Sequence, residues 1–240
     1  RLDFVRGLAL QELKRWEESA VAFRRVGRED VELWVNARTS LASSLSQMGR
    51  HAEAVQSLER DLEARPRDEA LLYALGAAYE KAGDMDSALA RMRVLLAINS
   101  KHADALNFVG YAYAERGTRL EEAEQLVGRA LELRPENGYF MDSLGWVYFK
   151  RGDYARAVTT LERANELSGP EPTILEHLGD AYSSAERPSE AATAYRRALE
   201  LGGGGAVESR AHLAYALFVA GQHAQAGGDQ RFGRHPRARV

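Results

Sequence analysis

Apolar side chains recur along this chain at a helical spacing that is interrupted at regular intervals. In the clearest stretch, residues 69 to 102, one apolar face is followed by a glycine and then by a second apolar face. The first face comprises Leu72, Leu75, Gly76 and Tyr79, the break is Gly83, and the second face comprises Ala88, Met92 and Leu95. This stretch therefore predicts a helix, a turn and a second helix.

The same unit returns about every 34 residues, a period typical of helical repeat proteins. Six full units start near residues 1, 35, 69, 103, 138 and 172, and half a unit starts at 207. The fourth unit has one extra residue in its turn, around Thr118. Because one helix pair cannot bury its apolar faces alone, the units are expected to stack on their neighbours. The pattern predicts an all-α solenoid over residues 1–226.

Small residues recur at one position of each unit, where they permit close helix packing. In the first helices this position holds Gly76, Gly110, Gly145 and Gly179, and in the second helices alanine recurs at Ala88, Ala123, Ala157 and Ala191. Pro66 and Pro135 each end a second helix, because proline cannot continue it. We therefore interpret the repeated glycines as contacts between the two helices of a pair.

These residues resemble the tetratricopeptide-repeat (TPR) family over residues 1 to 226. The resemblance implies a right-handed superhelical solenoid of antiparallel helix pairs that binds other polypeptides and has no catalytic activity. Within it, the run from Asn107 to Ala164 resembles bacterial cell-envelope TPR proteins, including outer-membrane lipoproteins that act as adaptors of periplasmic proteases. That resemblance favours a periplasmic or outer-membrane-associated location over the cytoplasm. Such lipoproteins begin with a lipidated cysteine, and this sequence has none.

In TPR proteins the first helix of each pair lines the concave side, so the resemblance also implies a set of groove residues. The expected peptide-binding residues are Tyr73, Glu80, Asp104, Asn107, Tyr111, Tyr139, Asp142, Trp146, Phe149, Glu176 and Asp180. This groove is aromatic and acidic, which favours an extended or helical peptide with apolar and basic side chains. We expect Tyr111, Tyr139 and Trp146 to dominate binding. Two alternatives stay open, namely that Trp146 packs against a neighbouring unit and that Asn107 and Asp142 lie on a solvated face.

The C-terminal part of the sequence departs from the repeat. The run from Gly202 to Gly205 is either an inter-repeat loop or a hinge. Residues 227–240 carry four arginines and no apolar stripe. This basic tail either binds acidic partners or is irregular. The seventh unit lacks a second helix, so the sixth unit has no complete capping pair; its exposed apolar face predicts a homodimer through the terminal repeats. At the other end, Arg1 falls inside a helical pattern already under way, which predicts a preceding segment.

The composition and motifs of the chain argue against nucleic-acid binding, membrane insertion, metal binding and catalysis. A net charge of −3 over 240 residues gives no general attraction to phosphate backbones, so nucleic acid is not an expected partner. No apolar run is long enough for direct membrane insertion. The six histidines show no metal-ligand spacing, and there is no cysteine, phosphate-binding loop or nucleophile elbow. We therefore expect neither a cofactor nor a metal, and the chain is predicted not to be an enzyme.

Three functional hypotheses follow from these observations. The first is a protein-binding scaffold or adaptor, placed in the bacterial cell envelope. The second is a regulatory or substrate-recruiting TPR domain of a larger enzyme. The third is a self-assembling oligomeric scaffold. The sequence names neither a partner nor an affinity, because fold alone does not determine what a groove binds.

Overall fold

Helices are the only regular secondary structure in the part of the chain that the computed structural model describes, residues 1–202 and 210–222. They are α1 (Leu2–Glu12), α2 (Trp16–Arg24), α3 (Val31–Gln47), α4 (His51–Ala64), α5 (Glu69–Lys81), α6 (Met85–Ile98), α7 (Ala103–Glu115), α8 (Leu120–Leu133), α9 (Gly138–Lys150), α10 (Tyr154–Ser168), α11 (Pro172–Ser184) and α12 (Pro188–Glu200). Residues 210–222 are also helical. The predicted all-α solenoid of helix pairs is confirmed.

The helices belong to two compact units, Arg1–Ala112 and Tyr113–Val240. In unit 1 the helices of the pairs α1/α2, α3/α4 and α5/α6 pack together, α2 contacts α3, and α4 contacts α5. In unit 2, α9 packs against α10 and α11 against α12, while α8 contacts α9 and α10 contacts α11. Helix α7 contributes residues to both units.

Several helices begin where a short polar side chain caps their first turn. Asp30, Asp68, Asp84, Asn137 and Asp153 each accept a hydrogen bond from the backbone N–H three residues further along. Such caps satisfy N–H groups that have no partner inside the helix. The cap at Asp30 lets α3 begin at Val31, four residues before the unit start near 35 that the pattern predicts.

The turns between paired helices use a left-handed backbone conformation. Gly83 and Gly152 adopt φ values of 82° and 79°, which glycine reaches without steric cost. In the first and sixth pairs the same conformation is held by Lys14 (φ 55°) and Glu186 (φ 59°). The turn geometry is therefore common to the pairs even where the glycine is absent.

Three of the repeated glycines lie against a side chain of the other helix of their pair. A Cβ added at Gly76 would lie 2.6 Å from Met92 Cε, and one at Gly145 would lie 2.6 Å from Leu161 Cγ. Gly179 faces the ring of Tyr195 in the same way, at 2.5 Å from its Cε1. These approaches are well inside the ordinary carbon–carbon contact distance of about 3.5 Å. The predicted role of the glycines as helix contacts is confirmed at these positions.

A tyrosine–glutamate hydrogen bond joins successive pairs at two places. Tyr79 of α5 donates its hydroxyl to Glu59 of α4 at 2.5 Å. Tyr182 of α11 donates to Glu162 of α10 at 2.7 Å. In both cases the donor lies 20 residues after the acceptor, on the first helix of the following pair.

Some predictions fall on residues outside the described ranges. They concern Gly203 to Gly205 of the glycine run, the start of the half unit at 207, and the tail over 227–240.

Candidate functional site

First helices line an open cleft in unit 1. Between α3 and α5 lies a cavity of about 290 Å³, which we call the α3–α5 cleft. It is lined by Thr39, Ala42, Ser43, Ser46, Gln47, Tyr73, Ala74, Ala77, Ala78 and Lys81. Small side chains and hydroxyl groups dominate this lining, so the cleft is mostly neutral. Tyr73, one of the predicted groove residues, stands at its edge and stacks on His102 with ring centroids 5.5 Å apart.

The other predicted groove residues of unit 1 lie on α5 and α7. Glu80 is half-buried near the end of α5, and Asp104, Asn107 and Tyr111 are half-buried along α7. The Oδ1 atom of Asn107 is buried and has no hydrogen-bond partner within the described part of the chain. None of these four side chains lines the α3–α5 cleft.

In unit 2, Trp146 belongs to a buried contact between α9 and α11. Its side chain is only 7% exposed. The indole stacks on His177 with ring centroids 4.1 Å apart and on Phe149 at 4.7 Å. Its Nε1–H donates to Glu115, and the ammonium of Lys150 lies 4.7 Å from the ring centre. The ring therefore packs between neighbouring pairs, which is the alternative that the sequence left open for it.

Asp142 completes this contact, which we call the Trp146–His177 cluster. The Nδ1 atom of His177 lies 2.9 Å from Asp142 Oδ1, and both side chains are buried. Burial lowers the pKa of His177, but the hydrogen bond and charge of Asp142, helped by Asp180 and Glu115, outweigh burial and leave the pKa raised. The pair thus links α9 to α11 most strongly when the imidazole is charged.

A cavity also lies in unit 2, and Asp180 provides the carboxylate among its described lining residues. This Asp180 pocket has a volume of about 300 Å³ and is lined by Phe149, Asp180, Ser183, Ser184, Tyr195, His212 and Tyr215. Tyr195 donates its hydroxyl to Asp180 Oδ1 at 2.6 Å, and His212 Nδ1 lies 3.5 Å from the same oxygen. Tyr215 leaves its ring 63% exposed.

The sequence pattern anticipated only part of the Asp180 pocket. Phe149 and Asp180 were predicted groove residues, whereas Tyr195 and His212 were not. Tyr195 lies on a second helix, and no first-helix rule could select it. Burial, followed by its hydrogen bond to Asp180, raises the pKa of Tyr195 well above its usual value, so the phenol remains a donor. His177 and His212 occupy matching positions in successive units, but they have separate partners. His177 lies against Asp142, and His212 lies beside Asp180 and Tyr195.

The remaining predicted residues of unit 2 are more accessible. Tyr139 is 59% exposed on α9, and Glu176 is half-buried on α11. Over residues 210–222, Tyr215, Leu217 and Phe218 also expose much of their side chains, whereas Ala216 is buried against α12.

Two absences apply to the described residues. Within 1–202 and 210–222, no three His, Cys, Asp or Glu side chains come together as metal ligands. In these same ranges, no helix combines the length and apolarity needed to span a bilayer.

Comparison with protein families gives a match over most of the chain. The family model for the tetratricopeptide repeat matches residues 39–103, 114–172 and 177–230. The TPR repeat-containing protein PA4667 of Pseudomonas aeruginosa is 30% identical over 166 residues, which are 69% of this chain and 28% of that protein. Anaphase-promoting complex subunit 3 of Schizosaccharomyces pombe is 24% identical over 53% of this chain and 19% of its own length. The chain therefore spans less than a third of either relative.

Solved structures of similar fold cover much of the chain. TTC0263, a thermophilic TPR protein of Thermus thermophilus, has a TM-score of 0.64 at 26% identity and covers 77% of this chain and 99% of its own. PilF of Pseudomonas aeruginosa has a TM-score of 0.63 at 24% identity, with 84% and 93% covered. The Cut9–Hcn1 hetero-tetramer of APC/C has a TM-score of 0.76 at 19% identity, with 90% and 42% covered.

Proposed function

The chain belongs to the tetratricopeptide-repeat family, and we propose that it is a non-catalytic scaffold whose first helices bind a partner polypeptide. TPR proteins are typically non-catalytic and bind other proteins. The proposal extends this general property to specific surfaces of this chain, the α3–α5 cleft of unit 1 and the Asp180 pocket of unit 2. The predicted groove residues Tyr73, Phe149 and Asp180 belong to these two surfaces.

The α3–α5 cleft is the observation that carries the proposal. Its lining residues recur at helical spacing along the facing sides of α3 and α5, and most are alanine, serine or threonine. Small side chains leave open volume between the helices, while Thr39 and Ser43 offer hydroxyl groups for hydrogen bonds. An apolar side chain of a peptide can occupy such a cleft while its backbone bonds to the hydroxyls. Nothing in the lining suggests chemistry beyond binding.

A cleft-filling variant tests this function. Ala77→Trp places a large ring in the α3–α5 cleft, whereas Ala90→Trp places the same ring on the exposed side of α6. Random peptides displayed on phage are selected on the parent chain, and the affinities of the enriched peptides are measured for all three proteins. We expect Ala77→Trp to lower the affinity of some of these peptides about tenfold, which corresponds to roughly 1.4 kcal/mol of binding free energy. Ala90→Trp should lower the affinity of none of them.

Two controls make the result interpretable. Matching helical circular dichroism and thermal midpoints must show that both variants are folded. If every enriched peptide binds Ala77→Trp as tightly as Ala90→Trp, the α3–α5 cleft is not a binding surface. If no peptide is enriched on the parent chain, the scaffold proposal itself is contradicted.

The cell-envelope location is a further part of the proposal. It is supported by the resemblance of the run from Asn107 to Ala164 to envelope TPR proteins. Osmotic-shock fractionation of the bacterium that encodes the chain provides the test, since recovery of the protein with cytoplasmic markers alone would contradict this location.

Self-association is a second candidate, because the segment 210–222 exposes Tyr215, Leu217 and Phe218. A second copy of the chain could cover the exposed apolar side chains and give the homodimer that the sequence predicts.

A further inference from the structure

We infer that the Asp180 pocket binds one arginine side chain of the partner polypeptide. This inference rests on the proposed scaffold function and names the chemistry that one of its surfaces recognises. It starts from Asp180 itself, whose Oδ1 accepts the Tyr195 hydroxyl at 2.6 Å. The Asp180 side chain is 26% exposed, so its carboxylate is accessible to a donor from another molecule.

The rings of the pocket favour a flat cation. Phe149, Tyr195 and Tyr215 line it, and Tyr215 is largely exposed. Aromatic faces attract a guanidinium group, which is planar and more weakly hydrated than an ammonium group. A guanidinium also presents several N–H donors to one carboxylate. The volume of about 300 Å³ admits a single long side chain rather than a folded segment.

Within residues 1–202 and 210–222, no lysine or arginine occupies the Asp180 pocket. Lys150, the nearest lysine along α9, lies over Trp146 instead. His212 is the only basic group of the lining, and its Nδ1 lies 3.5 Å from Asp180 Oδ1, which is long for a hydrogen bond. More than half of the His212 side chain is exposed, so a ligand can displace it at little cost.

The same unit already contains this arrangement with an arginine in it. Tyr182 donates to Glu162 just as Tyr195 donates to Asp180. In the first case the guanidinium of Arg187 lies 4.5 Å from the centre of the tyrosine ring, and its Nη2 is 3.7 Å from Glu162. Tyrosine, carboxylate and arginine thus form a complete trio there. The Asp180 pocket has the tyrosine and the carboxylate, and the arginine would come from the partner.

A double-substitution cycle tests the inference. An arginine-containing peptide enriched from the phage library is synthesised with arginine and with citrulline, which keeps the shape but removes the charge. Fluorescence anisotropy gives the affinity of both peptides for the parent chain and for Asp180→Asn. Asparagine can still accept the Tyr195 hydroxyl, so the variant removes mainly the charge. Replacing arginine by citrulline should lower the affinity of the peptide for the parent chain about tenfold. The same replacement should lower its affinity for Asp180→Asn by less than about twofold, because that variant lacks the charge that the arginine pairs with.

Two further variants complete the design. Glu200→Gln neutralises an exposed carboxylate of α12 outside the pocket. The loss of affinity on replacing arginine by citrulline should be the same for this variant as for the parent chain. Tyr215→Ala removes an exposed ring with little loss of packing and should reduce that effect, which tests the pocket even if Asp180→Asn is unstable.

The failure of this inference differs from failure of the scaffold function. If peptides are enriched but none carries arginine, or if citrulline weakens binding equally to the parent and Asp180→Asn, the pocket does not bind an arginine and the scaffold function stands. If no peptide is enriched, the scaffold function fails and the inference fails with it.

Discussion

Alanine substitution at the repeated glycines measures how much close packing between paired helices contributes to stability. In Gly145→Ala the new methyl group would lie 2.6 Å from Leu161 Cγ and 2.9 Å from its Cδ2. Carbon atoms prefer a separation of about 3.5 Å, so the contact must open by roughly 1 Å. Leu161 is fully buried among Ala157, Val158 and Leu178, which leaves it little room to move.

Gly128→Ala in α8 is the matched control, because the added Cβ meets no atom within 4 Å beyond its chain neighbours and the nearby backbone of its own helix. Both substitutions gain about 1 kcal/mol of helix propensity, and this gain cancels when the two variants are compared. What remains is the cost of overpacking, typically about 1–3 kcal/mol. We therefore expect Gly145→Ala to be less stable than Gly128→Ala by about 1–3 kcal/mol, and Gly128→Ala to be more stable than the parent.

A graded series extends the test. At Gly76 the obstructing atom is the terminal methyl of Met92, which a flexible side chain can withdraw, so Gly76→Ala should cost less than Gly145→Ala. At Gly179 the obstruction is the rigid, buried ring of Tyr195, so Gly179→Ala should cost at least as much as Gly145→Ala. Urea unfolding followed by circular dichroism gives the free energies, and hydrogen exchange locates the loss in α9 and α10. If Gly145→Ala proves as stable as Gly128→Ala, the glycine is not required for close packing.

Two further predictions concern unit 2. The pKa of His177 is raised in the folded state, so its stabilising contribution is complete below its unfolded value of about 6.5 and is lost as the pH rises through the folded value. In the parent the free energy of unfolding should therefore fall as the pH rises above about 6.5, and in His177→Gln it should fall less steeply. Urea unfolding across this pH range measures both slopes. Equal slopes in the two proteins would contradict the His177–Asp142 pair. If the chain self-associates, its mass in light scattering rises with concentration, and Phe218→Glu should abolish this rise. Leu133→Glu, at an exposed leucine of α8, should leave the rise unchanged. A rise that persists in Phe218→Glu would exclude residues 210–222 from the interface.

The periodicity of the sequence was sufficient to predict the fold, because the same residues indicate both a helix and the face through which that helix packs on others. The spacing of Leu75, Gly76 and Tyr79 predicts both a helix and the face on which its partner packs. Capping residues such as Asp68 and Asp153 fix the helix starts, and the turn glycines separate the paired helices. Only α3 departs noticeably, because Asp30 caps it earlier than the repeat pattern indicates.

The candidate site was less predictable, because its geometry depends on contacts between helices. The repeat pattern assigns Trp146 and Tyr139 to first helices but does not determine which ring a neighbouring helix covers. Trp146 is covered by His177, whereas Tyr139 remains exposed. Nor does the pattern show that the hydroxyl of Tyr195, on a second helix, reaches Asp180. These contacts depend on the distances between neighbouring helices, which the period of the sequence repeat does not determine.

The tyrosine–glutamate bonds at Tyr79–Glu59 and Tyr182–Glu162 bear on how such a protein can lengthen during evolution. Each bond runs from the first helix of one pair back to the second helix of the pair before it. A helix pair that carries both residues can follow or precede another pair of the same kind. Duplication of such a segment within the gene would therefore create a longer protein whose new junction already has a compatible donor and acceptor, without any compensating mutation.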